Sequence, residues 1–401
     1  MIRSKITCLL SGLMISLSIL SCDDQQSTAQ EVGDYIGQSA LDSIPKVFAS
    51  DIISKKGRFE LGLSISPSGR HITFGVAHES DPTQTNLYII NQKDGEWSSP
   101  DKSFLPGNVN TFFPMFSPSG GQLYFTKSVG DQATDVWVVD FSDGLVTKPR
   151  PLNQVINSDS REAGHGVLPD GTLYFTSNRD DQHACCGDIY RSSLDSGEYT
   201  KVQKMDILNS VADEESLFLS PNGDYIIIQA WKNEYASKHD LYISYMTKGS
   251  KWTQPRRLSS AINSPEIEQR PFVSFDNKYL FFSRTNVTEE NGEFKYDSDI
   301  YWVNTKSVFH PYVYNTPSQT VVVRDQPFEI QFPRDIFKDV DGDELNYSMS
   351  TVEGTSLPEG MTFDAQNITL SGVLKQDNPG DFILSATDEY GNSSQLEFTL
   401  D

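Results

Sequence analysis

Between about Phe59 and Phe309 the chain alternates short apolar, β-prone runs with polar turns, and the alternation is itself periodic. The turns read Ser66-Pro67-Ser68-Gly69, Ser117-Pro118-Ser119-Gly120, Leu168-Pro169-Asp170-Gly171, Ser220-Pro221-Asn222-Gly223 and Ser274-Phe275-Asp276-Asn277. Their second residues, Pro67, Pro118, Pro169, Pro221 and Phe275, follow one another by 51, 51, 52 and 54 positions. A β-prone run precedes each turn and another follows it, as in Leu-Tyr-Phe at residues 173–175, which predicts two strands around a tight turn. A third run opens with Asp or Asn, then an apolar residue and an aromatic: Asn86-Leu87-Tyr88, Asp135-Val136-Trp137, Asp188-Ile189-Tyr190, Asp240-Leu241-Tyr242 and Asp299-Ile300-Tyr301. Four repeats end in a polar turn and an outer strand, clearest at Glu96-Trp97 with Pro100 and at Lys251-Trp252 with Pro255.

Four short strands recurring every fifty-odd residues predict a β-propeller, so the fold class is all-β. The fifth repeat lacks an outer strand, and the segment Ile44-Pro45-Lys46-Val47-Phe48-Ala49 reads as a strand without a blade. Ring closure by that segment gives five blades, with six if the stretch before Phe59 is more than a closing strand. The phrase Leu173-Tyr174-Phe175-Thr176-Ser177 after a Pro-x-Gly turn, followed by Asp188-Ile189-Tyr190, resembles the TolB-like, WD40-like propeller repeats of Gram-negative envelope proteins. The resemblance covers residues 44–309 and implies a fold, while such repeats serve many activities.

After Phe309 the spacing changes to strands separated by loops every ten or so residues, with runs at 320–323, 328–330, 382–384 and 396–398, as in a small β-sandwich. Its phrases Asp339-Val340-Asp341-Gly342-Asp343, Leu357-Pro358-Glu359-Gly360-Met361 and Ala386-Thr387-Asp388 resemble dystroglycan-type cadherin-like, Ig-like domains of bacterial surface proteins. That resemblance implies calcium as a cofactor, with Asp339, Asp341, Asp343 and Asp388 as ligands; alternate carboxylates can turn toward one hard cation. The alternative is a solvated acidic turn. An EF-hand is excluded, because the sixth loop position is Glu344 rather than Gly.

At the other end, Arg3 and Lys5 precede an apolar run over residues 6–20, the pattern of a secretory signal peptide. Ile19-Leu20-Ser21-Cys22 resembles a bacterial lipobox, which implies lipidation at Cys22 and attachment to the outer membrane. The expected division is a signal peptide over residues 1–21, a Gln/Ser/Asp-rich tether over 22–40, the propeller over 41–309 and the sandwich over 310–401. With 32 Lys+Arg against 55 Asp+Glu the formal charge is −23, and no basic patch interrupts it, so nucleic acid is excluded as a partner class. Beyond Cys8 and Cys22 only Cys185 and Cys186 remain, too few for a disulfide framework. They are neighbours and suggest a vicinal disulfide; zinc at His183 with these two would have poor tetrahedral geometry.

In a propeller the loops entering each innermost strand and those between second and third strands share one face. Here the latter, at 77–84, 128–133, 178–187, 231–239 and 285–298, are long and dissimilar, so recognition is expected on that face. Seven positions before the turn Pro or Phe275 stand Glu60, Thr111, Glu162, Glu214 and Glu268. A recurring carboxylate either accepts backbone N–H groups or lines a channel mouth that takes a cation or polar ligand. Nearby lie Arg161, His165 and Arg270, and the loop tips add Arg179, Trp231, Lys232 and Arg284; guanidinium with an indole face suits hydroxylated or carboxylated sugars. No Gly-x-Ser-x-Gly, His-Glu-x-x-His, P-loop or dinucleotide fingerprint is present. The expectation is a lipid-anchored binding module for a glycan or envelope protein. Its rival is a polysaccharide lyase or glycoside hydrolase using Glu162, Glu214 or His165.

Overall fold

The computed structural model describes residues 35–38, 43–78, 81–129, 133–180, 187–231, 239–290, 292–317 and 321–400. The expectations for Cys22, His183, Cys185, Cys186 and Lys232, and for the signal peptide, lie outside them. Five sheets of one plan form the propeller. The third blade is typical: Glu162–Val167, Leu173–Ser177, Asp188–Asp195 and Glu198–Lys204 pair in sequence order, all antiparallel. The innermost strands of the others are Glu60–Ile65, Thr111–Phe116, Glu214–Leu219 and Ile267–Val273.

Each tight turn is closed by a hydrogen bond from its fourth residue to its first, such as Gly69 N to Ser66 O at 2.8 Å and Asn277 N to Ser274 O at 2.8 Å. The fourth residue sits at positive φ (71° at Gly69, 85° at Gly171, 59° at Asn277), so only Gly and Asn occupy this place.

The ring closes as the unmatched N-terminal run requires. Lys46–Val47 pairs with Glu293–Asn304 of the fifth blade, Lys46 opposite Trp302 and Val47 opposite Tyr301. Phe48 then enters the core completely, its ring 5.0 Å from Phe281 and 5.1 Å from Trp302. Burying an aromatic beside the pairing holds a two-residue strand that could not persist alone.

Four expectations are corrected. The segments 77–84 and 285–298 are not loops: His71–His78 and Asp81–Lys93 pair to His78 opposite Asp81, Tyr279–Glu290 and Glu293–Asn304 stay paired to Glu290 opposite Glu293, and Tyr296 packs edge-on against Phe59. In the fourth blade the outer strand is Arg256–Arg257, while Trp252 makes only an isolated bridge to Met246. In the sandwich, residues 321–323 form no strand, and Val321 and Val323 are exposed, since no neighbouring strand offers them a partner.

The sandwich has two three-stranded sheets. Pro327–Gln331, Thr369–Val373 and Met361–Asp364 form one, and Asn346–Thr351, Asp381–Thr387 and Ser393–Thr399 the other, around Leu370, Phe382 and Leu384. It docks on the turn side of the propeller. Tyr312 stacks on Tyr245 at 4.3 Å, Lys248 pairs with Asp335 at 2.8 Å, and Lys338 reaches Asp224 at 3.2 Å. The loop-rich face is therefore opposite the docked module. Among the described residues there is no helix long and apolar enough to cross a membrane.

Candidate functional site at the axial mouth

Glu60, Thr111, Glu162 and Glu214 begin their innermost strands and Glu268 stands second in its own, and all five are wholly buried. Glu162 accepts from Ser158 N at 2.9 Å, Ser158 Oγ at 2.7 Å, Ser177 Oγ at 2.8 Å and Arg179 Nη2 at 3.1 Å. Glu268 repeats the pattern with Ser264 N at 3.1 Å, Ser264 Oγ at 2.6 Å and Arg284 Nε at 2.8 Å. Glu214 accepts from Ser210 N and Oγ, and Glu60 from Arg58. Burial pushes Glu60 up to about 7 and Glu268 up to about 6, against the opposing pull of Arg58 and of Ser264 with Arg284. Arg179 also donates to the carbonyls of Val155 and Ile156, and Arg284 to that of Ile262. These carboxylates and two arginines tie each entering loop to its own blade, an arrangement that serves the scaffold.

An asparagine completes the device, and sequence reasoning missed it. Asn157 Oδ1 accepts from Val136 N at 2.8 Å, and Nδ2 donates to Val136 O at 3.0 Å. Asn263 does the same to Leu241, Asn209 to Ile189 and Asn108 to Leu87. In the fifth blade Ser54 Oγ takes that place against Ile300. The signal was available: Asn-Ser recurs five residues before Glu162, Glu214 and Glu268.

Inside this frame each innermost strand carries a β-bulge. The pairing slips between Leu61 and Leu63, Phe112 and Met115, Ala163 and Gly166, Glu214 and Ser216, and Gln269 and Phe272. Two bulges hold glycine, Gly62 (φ 56°) and Gly164 (φ 42°). Two others hold Phe113 (φ 51°) and Arg270 (φ 55°), and in the fourth blade the extra residue is Glu215. Bulges re-aim side chains, and these line the propeller axis. Gly62, Phe113, Gly164, His165 and Arg270 surround a narrow axial cavity of about 20 Å³, room for a water or one small polar group and well below an ordinary small-ligand pocket.

The polar groups converge here. Glu215 lies 3.7 Å from Arg161 Nη2 and 3.6 Å from His239 Nε2, and accepts from Gln229 Nε2 at 2.6 Å. Burial raises its carboxyl, but His239, Arg161, Arg270 and Gln229 outweigh that and hold it below the ordinary carboxylate range. The Arg270 guanidinium lies 4.5 Å over the Phe113 ring, and desolvation lowers its pKa to about 10 despite Glu215. Arg270 Nε and Nη1 and Arg161 Nη1 are buried without a hydrogen-bond partner among the described residues. Trp231 adjoins through an edge contact to His239 at 5.5 Å.

Of the predicted site residues, the structure thus brings Arg270, Trp231 and His165 to the axis. His165 is 2% exposed, and burial depresses it to about 4, so it is neutral at physiological pH. Glu60, Glu162, Glu214, Glu268, Arg179 and Arg284 sit in the loop ties. Phe113, Glu215, Gln229 and His239 had not been singled out.

In the sandwich, Asp388 caps its own turn, accepting from Tyr390 N at 2.9 Å and Asn392 N at 2.8 Å. Asp339 Oδ2, Asp341 Oδ1 and Asp343 Oδ2 are buried without hydrogen-bond partners among the described residues. Burial and the neighbouring Asp341 push Asp339 up to about 8. The donor chemistry of these three oxygens fits a hard cation, although among the described residues no three such side chains converge as a formed metal site.

Residues 310–401 match the family described as "Putative Ig domain". No curated protein matches the chain. Among solved structures, TolB from Acinetobacter baumannii is similar at 16% identity and TM-score 0.38, over 63% of this chain and 55% of that one, so this chain spans about half of it. A gluconolactonase from Xanthomonas campestris is similar at 14% identity and TM-score 0.38, over 65% and 88% of the two chains. The α-L-arabinanase of Penicillium chrysogenum, solved with arabinobiose, is similar at 12% identity and TM-score 0.35, over 68% and 79%.

Proposed function

We propose that this chain is a lipid-anchored outer-membrane protein, attached through Cys22, whose loop-rich propeller face binds a glycan of the cell envelope. The observation that carries this reading is the division of labour around the axis. Glu162, Glu214 and His165, the residues a lyase or hydrolase would use, are 0%, 0% and 2% exposed. The reachable carboxylate, Glu215, is held ionised by its cationic neighbours and is a poor proton donor. What converges at the axis is recognition chemistry: the guanidinium groups of Arg270 and Arg161, with buried N–H groups that lack partners among the described residues, and the Trp231 indole against His239.

An envelope protein on the same face is the second reading. Val109, Val129 and Val211, on loops around the mouth, are 57%, 50% and 87% exposed, which supports a contact with apolar content. In the sandwich, Asp339, Asp341 and Asp343 would hold calcium, which would neutralise their carboxylates beside the junction with the propeller.

The test uses the soluble form lacking residues 1–22 in native gels cast with neutral and uronate polysaccharides. Retarded migration with the polysaccharide left intact is expected. Clearing of the polysaccharide would establish the enzyme instead, and unaltered migration throughout would remove the glycan reading in favour of a protein partner.

A further inference from the structure

Four of the five bulge positions around the axis, all but Glu215, share a backbone requirement that favours glycine. At Gly62 and Gly164 that requirement is met in the ordinary way, with φ of 56° and 42°. Phe113 and Arg270 adopt the same left-handed backbone at 51° and 55°, where bulky residues are outliers. Such strain persists only where the surroundings enforce it, and it gathers at functional sites. The surroundings here are shaped for Arg270: its Cβ and Cδ would lie 3.1 and 3.3 Å from any Cβ at position 62, so glycine there makes room for the arginine stem.

The guanidinium so placed is incompletely satisfied. It stacks on Phe113, which orients it, yet among the described residues Nε and Nη1 have no acceptor, and neither has Arg161 Nη1. Glu215 faces Arg161 and His239 and also interacts with Arg270, leaving one carboxylate against two permanent cations. A local positive surplus in a chain of formal charge −23 is a feature that general composition does not supply. Buried donors without acceptors destabilise a protein unless a ligand provides the acceptors. The cavity of about 20 Å³ admits only one small polar group of a ligand, whose remainder would stay outside it, and the indole of Trp231 adjoins Glu215 through His239.

Building on the glycan-binding reading, we propose that the axial mouth recognises the carboxylate of an acidic sugar residue, with Arg270 and Arg161 as its donors. A planar carboxylate offers two oxygens to forked N–H groups, whereas a neutral sugar offers only hydroxyls. His239 and Gln229 are positioning residues, since they hold Glu215 and thereby the two arginines.

The test is calorimetric titration of the soluble form with tetragalacturonate, maltotetraose and a tetra-aspartate peptide. Tetragalacturonate is expected to bind at least about tenfold more tightly than either of the others, and more weakly as salt rises. Arg270→Gly is the decisive variant, because glycine suits the backbone at this position. It is expected to melt at or above the wild-type temperature while losing about tenfold or more in tetragalacturonate affinity. Arg161→Gln, outside the strained position, is expected to lose affinity likewise, so the outcome does not hang on one variant folding. Unchanged tetragalacturonate affinity in both variants would overturn the proposal. Equal affinity for maltotetraose would overturn it while leaving glycan recognition standing. Preference for the tetra-aspartate peptide would remove the sugar, and binding of none of the three, together with unaltered gels, would remove glycan recognition itself.

Discussion

The side-chain amide of Asn157 bonds both ends of one residue in the third blade's predecessor: its Oδ1 takes Val136 N–H at 2.8 Å, and its Nδ2 gives to Val136 C=O at 3.0 Å. It behaves as one residue of a strand that the sheet otherwise lacks at that level, and it fixes where the loop toward Glu162 must start. Replacing Asn157 by Ala leaves the buried Val136 N–H without a partner, while Val136 C=O keeps the N–H of Leu152 at 2.9 Å, a loss of about 1–3 kcal/mol. Asn157→Asp should be at least as damaging, since a carboxylate would face the Val136 carbonyl. Urea unfolding measures both; a loss within about 0.5 kcal/mol would show that water replaces the amide.

The periodic features of this fold were legible because their causes are local. A turn that demands positive φ at its fourth place writes Gly or Asn there every fifty-odd residues, and a buried third strand writes an apolar residue after each Asp or Asn. The closing strand was legible by subtraction, as Lys46 and Val47 had no other strand to join. Features set by long-range pairing were not. The bulges depend on how two strands register, so Phe113, Glu215 and Arg270 look like ordinary strand residues until the repeats are aligned on the bulge. The extended hairpin beyond Thr285 is polar enough to read as a loop, yet Tyr296 finds Phe59 across the ring seam. The recurring Glu was found, but its role was undecided until Ser158, Ser264 and the arginines were seen around it.

Closure of the ring should be the weakest step to disturb without touching the mouth. Phe48 is wholly buried against Phe281 and Trp302, and its backbone N–H donates to Ile300 O at 2.7 Å. Phe48→Ala should therefore cost about 3–5 kcal/mol and expose the edge of the fifth blade. Chemical denaturation gives the first quantity, and light scattering on storage gives the second as self-association. A monomeric variant of near-normal stability would mean that Lys46 and Val47 hold the ring by backbone pairing alone.

Two buried groups set opposing pH dependences. Glu60 is raised to about 7 by burial, so between pH 4.5 and 7 the native state binds more protons than the unfolded chain, and its contribution is lost as pH rises. His165 is depressed to about 4 by burial, so its contribution is complete above pH 6.5 and lost as pH falls toward 4. Glu60→Gln mimics the protonated carboxyl at every pH. It should match the wild type near pH 4.5 and exceed it by roughly 3 kcal/mol at pH 8. Unfolding curves at the two pH values decide; an equal offset at both would mean that Arg58 keeps Glu60 ionised throughout.

The Asp loop of the sandwich yields the last prediction, because Asp339, Asp341 and Asp343 each bury one oxygen without a partner among the described residues. Like charges on one loop repel, and a bound cation would convert the repulsion into shared coordination. Millimolar calcium at fixed pH should raise the melting temperature of the C-terminal module, by a free energy of about 2.7 kcal/mol where calcium stands at a hundred times its dissociation constant. Magnesium should do less, since it demands a tighter octahedral shell than one flexible loop provides. Asp339→Ala with Asp341→Ala removes both the repulsion and two of the ligands. This variant should melt higher than the calcium-free wild type and should not respond to calcium. Calorimetric scans with and without chelator distinguish the cases: no calcium shift in the wild type would reduce the loop to a self-repelling acidic turn at the propeller junction.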